Sequence, residues 1–240
     1  MSVYRESFTV SHIHVDCHGN VKPSILLYFA QEVAGAHCQA LVPEQPENLF
    51  WAISRNKVQF TRIPVLGETI TLETWPLPAT RVAYPRSTIA YDEMGNEVFR
   101  AISLWVLMDK ESRAMILPGK SGVDVPGIFR GTELTVPRSI LPAPLQNNVL
   151  RQVRFTDLDQ NQHMTNTRYL DWVGDLLPSA FWAAHPLKEL TVCYLNEALE
   201  GQTLSLGWEI LEGNCLQVEA LRPDAAEEKA ERIFSCQLLF

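Results

Sequence analysis

The segment Gly67-Glu68-Thr69-Ile70-Thr71-Leu72 has a close counterpart later in the chain, Gly201-Gln202-Thr203-Leu204-Ser205-Leu206. A run of β-forming residues precedes each glycine, and a polar turn and a further strand-like run follow each copy. Upstream, Asp16-Cys17-His18-Gly19-Asn20 precedes a helical pattern, as Asp159-Gln160-Asn161-Gln162-His163 does. Self-similarity of this kind indicates a duplicated module. The sequence therefore predicts two modules with the same order of loop, helix and strands.

Two helices stand out from the spacing of apolar residues. Pro23 and Ser24 form a helix-start signal, and the pattern that follows predicts a helix to about Leu41. A second helix is predicted from about Asn166, a plausible N-cap, with an apolar face that extends to Leu177. One long helix in each module indicates a sheet wrapped around that helix.

Alternating and β-branched residues predict the strands of both modules. The predicted strands lie near 3–11, 51–62, 68–77, 82–91, 97–109, 148–155, 187–198, 202–211, 214–222 and 230–240. The stretch 117–147 is rich in proline and glycine and is predicted to link a module at 1–116 to a module at 148–240. The expected fold class is α+β, with antiparallel sheets.

The composition excludes several classes of protein. The net charge of −8 and the lack of a long Lys/Arg run argue against a nucleic-acid-binding protein. The five cysteines include no CxxC pair, which argues against a structural zinc site and favours reduced thiols. No signal-peptide core and no membrane-spanning run is evident, so we expect a cytoplasmic protein that needs no metal or cofactor.

The segment Asp159-x-Asn161-x-His163 places an acid, an amide and an imidazole just before a predicted helix. These groups can donate, accept and transfer protons near neutral pH. The same residues could form a capped turn and no more, but so many polar groups in one turn favour an active-site loop.

The pattern Asp157-Leu158-Asp159-x-Asn161-x-His163-x-x-Asn166-x-x-Tyr169 resembles the signature of acyl-acyl-carrier-protein (acyl-ACP) thioesterases, both bacterial and plant plastid. The resemblance covers nearly the whole chain. It implies a tandem hot-dog fold, in which each module has a long helix wrapped by an antiparallel sheet. It also implies hydrolysis of fatty acyl-ACP to free fatty acid, with acyl carrier protein as the partner.

The resemblance further implies catalytic roles for Asp159, Asn161, His163 and Glu197. Glu197, relayed through His163, is expected to accept the proton of the attacking water, within an acyl-lined pocket. Asn161 and the backbone N–H groups at the start of the second helix would stabilise developing charge, and Asp159 would orient its neighbours or, less simply, attack the thioester. Ala198 stands where plant members often have cysteine, which disfavours a Cys-His mechanism.

The first module lacks this set of polar residues and is expected to hold the acyl tail. Its candidate lining residues are apolar, namely Ile25, Phe29, Val33, Trp51, Ile53 and Trp105. An acidic carrier protein would need a basic rim, for which Arg168 is the leading candidate. Further candidates are Arg138, Arg151, Arg154 and Lys188.

Two other functions stay open from the sequence: an acyl-CoA thioesterase or related hot-dog enzyme, and a non-catalytic acyl-binding protein. The spacing from Asp159 to His163, with Gln162 after the asparagine, disfavours hydratase chemistry. A pure binder would gain little from the polar loop. The acyl length is not predicted, and both a monomer and a homodimer are compatible with the sequence.

Overall fold

The computed structural model describes residues 2–223 and 230–240. The chain divides into two compact units, Met1–Pro137 and Arg138–Phe240. The division falls within the proline- and glycine-rich stretch 117–147. Within the described residues, no helix is long and apolar enough to cross a membrane.

The first unit is built on an antiparallel sheet. Its described strands are β1 (Tyr4–Thr9), β2 (Leu49–Phe60), β3 (Thr69–Pro76), β4 (Tyr84–Tyr91), β5 (Glu97–Asp109) and the short β6 (Met115–Ile116). They pair in the order β1-β3-β4-β5-β2, and β6 adds to β5. Strands β3 and β4 are buried along most of their length, which places the core of this unit at the centre of the sheet.

A single long helix, α1 (Pro23–Leu41), covers this sheet, as the sequence predicts. Pro23 occupies the first turn, where its fixed φ suits a helix and its missing N–H costs nothing. The apolar face includes Leu26, Phe29 and Val33, all buried. The Phe29 ring stacks on Phe8 of β1, with ring centroids 4.4 Å apart.

The stretch after the short helix α2 (Pro118–Ser121) runs close to the end of β3. A Cβ on Gly127 would lie 2.2 Å from the backbone of Leu77, so only glycine fits there without movement. Arg130 stacks over the Trp75 ring at 4.5 Å and also pairs with Glu73. These contacts attach the linking stretch to the first unit.

The second unit has its own antiparallel sheet and two short helices. The described elements are β7 (Asn147–Gln152), α3 (Arg168–Gly174), α4 (Ser179–Ala184), β8 (Glu189–Tyr194), β9 (Thr203–Leu211), β10 (Cys215–Arg222) and β11 (Glu231–Leu239). Its strands pair in the order β8-β11-β10-β9-β7. The Tyr169 ring of α3 stacks on Phe234 of β11 at 4.8 Å, which joins helix to sheet.

The prediction of a long helix in the second module is wrong, because the helix observed there is short. Helix α3 begins at Arg168, two residues after the predicted cap Asn166, and ends at Gly174. The Leu176 N–H bonds to the carbonyl of Val173, a tight closing turn, and Pro178 cannot continue a helix. Trp182 of α4 donates to the Gly174 carbonyl at 3.0 Å and so caps the end of α3.

The duplication is confirmed in the backbone hydrogen bonds. The Gly67 N–H donates to Val10 at 2.9 Å, and the Gly201 N–H donates to Val153 at 2.9 Å. Both glycines have positive φ, at 84° and 79°, which explains the glycine that opens each copy. Each copy then continues into a strand, β3 in one unit and β9 in the other.

Candidate active site

The predicted active-site loop is a tight turn built around Asp159. Its Oδ1 accepts the backbone N–H groups of Asn161 at 2.8 Å and of His163 at 3.2 Å. The Asp159 N–H in turn donates to the His163 carbonyl at 2.8 Å. The Asp159 carboxylate therefore holds the backbone that carries the other two side chains.

The same turn occurs in the first unit. Asp16 Oδ1 accepts the N–H groups of His18 at 2.8 Å and of Asn20 at 3.0 Å. A third example, at a strand connection, uses Asp92 Oδ1 with Met94 and Asn96. The same turn forms around Asp16 and Asp92, for which no catalytic role is predicted. The hydrogen bonds that Asp159 accepts therefore stabilise the turn and are not in themselves evidence of catalysis.

Gln162 distinguishes the candidate loop from the two related turns. It has φ 65°, in the left-handed region, whereas Gly19 and Gly95 hold the corresponding positions with φ 81° and 82°. A non-glycine residue is strained in this region, by roughly 1–2 kcal/mol. The sequence shows Gln162 but does not reveal that its backbone is strained.

Glu197 comes from a second loop, which follows β8. The prediction that its strand extends to residue 198 is wrong, because β8 ends at Tyr194. Both the Leu195 and Asn196 N–H groups donate to the Ile233 carbonyl, at 2.9 and 3.2 Å, and this shared acceptor ends the regular ladder. Glu197 therefore lies in an irregular loop and not on a strand.

The two loops bring His163 and Glu197 together. The Met164 N–H donates to the Ala198 carbonyl at 2.8 Å, which places the neighbouring side chains side by side. His163 Nε2 lies 3.3 Å from Glu197 Oε2, with side chains 20% and 45% exposed. The expectation that Glu197 lies in an acyl-lined pocket is not met by so exposed a carboxylate, but the pair is within hydrogen-bonding distance.

The corresponding backbone bond in the first unit shows what that unit lacks. There the Val21 N–H donates to the Pro64 carbonyl at 2.9 Å. Asn20 precedes Val21, and Ile63 precedes Pro64, so these residues occupy the places of His163 and Glu197. The first unit thus keeps the two-loop frame without its imidazole and carboxylate.

The expected role of the α3 amides in charge stabilisation is not supported by the structure. Helix α3 has only seven residues. The Arg168 N–H already donates to Thr165 at 2.9 Å, and the Leu170 N–H donates to Thr167 at 3.0 Å. The exposed Asn161 side chain, in contrast, makes no hydrogen bond to any residue within 2–223 and 230–240.

Arg222 is a neighbour of this site that the sequence analysis missed. Its guanidinium donates to the Glu197 carbonyl at 3.2 Å and to Gln202 at 2.9 Å, and it pairs with Glu231. Tyr169 is buried close by, and burial raises the pKa of its hydroxyl. The charge of Arg222 acts to lower that pKa and the charge of Glu197 to raise it, so the ring lies within electrostatic reach of both.

Ion pairs within the chain neutralise some of the basic residues that were predicted to form a rim for the carrier protein. Arg168 binds Asp157 at 3.2 Å and Asp171 at 2.6 Å, so two carboxylates offset its charge. Arg151 pairs with Asp175 at 2.8 Å. Arg154 is exposed and forms no ion pair with the part of the chain that is described. Of these three arginines, Arg154 has the charge most available to a partner.

The first unit contains a cavity of about 280 Å³ beside the C-terminal half of α1. Trp51 and Trp105, two of the six residues predicted to line an acyl pocket, lie in its wall. Phe29, Val33 and Ile53 are instead buried in the packing of the unit, and Ile25 also lies outside the wall. The cavity is therefore bounded by the later part of the helix and not by its first turns.

Comparison with known families accounts for both units. Residues 1–117 match the model of the acyl-ACP thioesterase N-terminal domain, and residues 145–236 match that of the acyl-ACP thioesterase C-terminal domain. The chain belongs to the acyl-ACP thioesterase family. The resemblance recognised in the sequence is thereby confirmed.

The curated relatives of this family member are longer chloroplast proteins. An oleoyl-acyl carrier protein thioesterase of Coriandrum sativum is 28% identical over an alignment of 217 residues, which covers 81% of this chain and 59% of that protein. A palmitoyl-acyl carrier protein thioesterase of Gossypium hirsutum is 24% identical over an alignment of 214 residues, which covers 81% of this chain and 52% of that protein. The chain thus spans little more than half the length of these relatives.

Solved structures of the family share the fold over the whole chain. An acyl-ACP thioesterase from Bacteroides thetaiotaomicron superposes with a TM-score of 0.86 at 21% identity, covering 100% of this chain and 98% of the other. The 12:0-ACP thioesterase of Umbellularia californica gives a TM-score of 0.81 at 18% identity, with coverages of 100% and 97%. The predicted α+β tandem hot-dog fold is confirmed.

Proposed function

We propose that this acyl-ACP thioesterase family member hydrolyses the thioester of a fatty acyl-ACP and releases a free fatty acid. The observation that supports this most directly is the approach of His163 Nε2 to Glu197 Oε2, at 3.3 Å. An imidazole oriented by a carboxylate is a general base suited to activating water near neutral pH. The first unit has the same loop frame with Asn20 and Ile63, so we assign the chemistry to the second unit.

In the proposed mechanism, the His163 Nε2–H donates to Glu197. That bond selects the tautomer in which Nδ1 is the acceptor. Nδ1 takes a proton from water as the water oxygen bonds to the thioester carbon, and the Glu197 carboxylate stabilises the imidazolium. When the C–S bond breaks, the imidazolium returns the proton to the leaving thiolate, which yields a thiol and a carboxylic acid.

The tetrahedral intermediate carries a negative charge on the former carbonyl oxygen, which requires a hydrogen-bond donor. We assign this role to the side-chain amide of Asn161, which is exposed and has no hydrogen bond to the described residues. Two of the amides that the sequence analysis considered, those of Arg168 and Leu170 at the start of α3, already donate to carbonyl groups within the chain. Asp159 holds the backbone of Asn161 and His163 and is assigned a positioning role.

Acyl and carrier binding complete the proposal. Trp51 and Trp105 offer apolar wall to an acyl tail in the first unit. Arg154 offers an exposed positive charge to an acidic carrier protein. Charges of this kind at the edge of an interface act mainly on association rate and specificity.

The test is a panel of acyl-ACP thioesters of graded length, assayed by colorimetric detection of the released thiol with wild type and Glu197→Ala. We expect release from at least one acyl-ACP by the wild type and a loss of at least about a hundredfold in Glu197→Ala. Acyl-CoA thioesters are assayed in parallel. Release from acyl-CoA alone would favour an acyl-CoA thioesterase, and release from neither class would favour a non-catalytic acyl-binding protein.

A further inference from the structure

The loop that carries Glu197 is fixed by hydrogen bonds to two other parts of the second unit. Towards His163, the Met164 N–H donates to the Ala198 carbonyl at 2.8 Å. The second contact comes from the end of β10, where Arg222 Nη1 donates to the Glu197 carbonyl at 3.2 Å. Arg222 therefore bonds to the backbone of the residue whose carboxylate approaches the candidate base.

Arg222 also holds the later part of this loop. The same Nη1 group donates to Gln202 Oε1 at 2.9 Å, and that oxygen accepts the Leu199 N–H at 2.9 Å. The Nη2 group pairs with Glu231 on the neighbouring strand β11. A guanidinium presents its donors in a rigid fork, so one part of it can hold the strand while another holds the loop. Arg222 thus ties residues 197–202 to the sheet.

The orientation of the Glu197 carboxylate depends on this backbone contact. Its side chain is 45% exposed, so packing alone does not fix its rotamer, yet Oε2 lies 3.3 Å from His163 Nε2. An exposed side chain keeps such an approach only if the backbone places its Cα accurately. Displacement of a group by about 1 Å in a catalytic arrangement can cost about a hundredfold in rate.

The first unit has an equivalent position without an arginine. A β-bulge follows Ala90 in β4 and Ala220 in β10. Two residues beyond these alanines, Asp92 and Arg222 therefore occupy equivalent places. Bulges are common beside active sites, where they change the direction in which a side chain points. The duplicated frame thus carries a cation at this place in the unit with the candidate site.

The loop clamp of the first unit has its charges the other way round. There the cation is Arg62 of the loop, which pairs with Asp92 at 3.3 Å and with Glu68. Glu68 Oε2 accepts the Val65 N–H at 3.1 Å, as Gln202 does for its own loop. Both units therefore clamp the loop, but in the second unit the cation lies on the strand and bonds to the loop backbone.

We propose that Arg222 is a positioning residue for the proposed hydrolysis, on which this inference rests. By bonding to the Glu197 carbonyl, it holds the loop so that the Glu197 carboxylate stays within reach of His163 Nε2. Without this bond the carboxylate loses its orientation, and the imidazole loses the partner that supports it as a base. Arg222 exchanges no proton in the proposed mechanism and acts through Glu197.

The kinetic test measures thiol release from acyl-ACP by wild type, Arg222→Met and the matched control Arg62→Met. Arg222→Met should lower kcat at least about tenfold and change KM by less than about twofold, because it misplaces the base and leaves substrate contacts intact. Arg62→Met should keep the wild-type kcat, although both variants should shift the urea midpoint of unfolding by a similar amount. A kcat of Arg222→Met within about twofold of the wild type would overturn the proposal.

A double variant tests whether Arg222 acts through Glu197. In the Glu197→Gln background, Arg222→Met should lower kcat by less than about twofold more, because two changes to one functional unit are not additive. A further loss as large as that in the wild-type background would show that Arg222 acts independently of Glu197, and would overturn the proposal.

The imidazole ¹⁵N spectrum of His163, assigned by its absence in His163→Gln, gives a readout that needs no substrate. Glu197→Gln should shift this signal, Arg222→Met should shift it in the same direction, and Arg62→Met should leave it in place. An unshifted signal in Arg222→Met beside a shifted one in Glu197→Gln would overturn this inference alone. An unshifted signal in Glu197→Gln would instead contradict the proposed catalytic pair, and with it the role of Arg222.

A conservative variant keeps the proposal testable if Arg222→Met does not fold. Arg222→Lys retains the charge beside Glu231, but its ammonium cannot reproduce the fork that also holds Gln202 and the Glu197 carbonyl. Its kcat should fall at least about fivefold with KM almost unchanged. A kcat within about twofold of the wild type in Arg222→Lys would then overturn the proposal.

Discussion

The backbone N–H of His163 donates to Oδ1 of Asp159 at 3.2 Å, and this bond closes the turn that carries the candidate base. The finding bears on whether Asp159 orients its neighbours or attacks the substrate. In Asp159→Asn the amide oxygen can still accept both backbone bonds, but an amide cannot serve as a nucleophile. We expect Asp159→Asn to keep kcat within about tenfold of the wild type, measured by thiol release from acyl-ACP.

The matched comparison for Asp159 is Asp16, which makes the same bonds in the first unit. Asp159→Ala and Asp16→Ala should each lower the free energy of unfolding by about 1–3 kcal/mol, because backbone donors lose a charged acceptor. Only Asp159→Ala should reduce kcat strongly. Loss of all activity in Asp159→Asn would instead support direct attack by this carboxylate.

Gln162 offers a test of strain in the loop. Its φ of 65° suits glycine, which stands at the same place in the two related turns. Gln162→Gly should therefore raise the free energy of unfolding by up to about 1 kcal/mol, measured by urea denaturation. Gly95→Ala, the converse change at φ 82°, should lower it. If Gln162→Gly instead lowers the free energy of unfolding, the stabilisation from the glutamine side chain must exceed the strain of its left-handed backbone.

Arg154 is predicted to assist the recognition of an acidic carrier protein. Arg154→Glu should raise KM for acyl-ACP by about tenfold at low salt and leave kcat almost unchanged, because charges at an interface edge act on association. KM for acyl-CoA should change much less. Lys110→Glu, which alters an exposed charge in the first unit, is the control. An equal change in KM for both substrate classes would contradict a carrier-specific role.

The ion pairs of Glu73 predict a pH dependence of stability. Burial alone would raise the pKa of the Glu73 carboxyl, but hydrogen bonds from Arg130 and Arg5 more than offset it and leave the pKa lowered. A folded pKa below the unfolded one stabilises the protein fully above the unfolded value of about 4.3, and this stabilisation is lost as pH falls through the folded value. The free energy of unfolding of Glu73→Gln should therefore decrease less than that of the wild type as the pH falls.

That prediction is checked by urea unfolding of wild type and Glu73→Gln between pH 7 and pH 3. The difference between them should be largest at neutral pH and shrink below about pH 4. Glu93→Gln, at an exposed site, should follow the wild type throughout. A constant gap between wild type and Glu73→Gln would mean that the ionisation of Glu73 does not contribute to acid unfolding.

Much of the fold follows from local sequence signals. The glycines at positions 67 and 201 predict the duplicated turns because left-handed backbone favours glycine. Helix α1 is predicted to its observed ends, Pro23 and Leu41, because its apolar spacing is long and regular. The second helix is overestimated because its apolar pattern runs past Gly174, where the chain turns back and Trp182 caps the helix. That cap is a tertiary contact.

The candidate site was predicted less completely for similar reasons. The i,i+3 spacing of Arg168 and Asp171 is a local sequence signal of an ion pair. It could have shown that Arg168 is a weaker candidate for the basic rim that binds the carrier protein. Its second partner, Asp157, could not be inferred from helical spacing. The proximity of Arg222 to Glu197 depends on how strands pair, and strand pairing joins residues that are distant in sequence.

The most direct test of the catalytic proposal is a double-mutant cycle on His163 and Glu197, assayed as kcat/KM with an acyl-ACP substrate. If the two side chains act as one unit, His163→Ala, Glu197→Gln and the double variant should each lose about 10²–10⁴-fold, with the double variant little worse than the more damaged single one. Glu200→Gln, an exposed neighbour, controls for loss of charge. Losses below tenfold for either single variant, or losses that multiply in the double variant, would contradict the account.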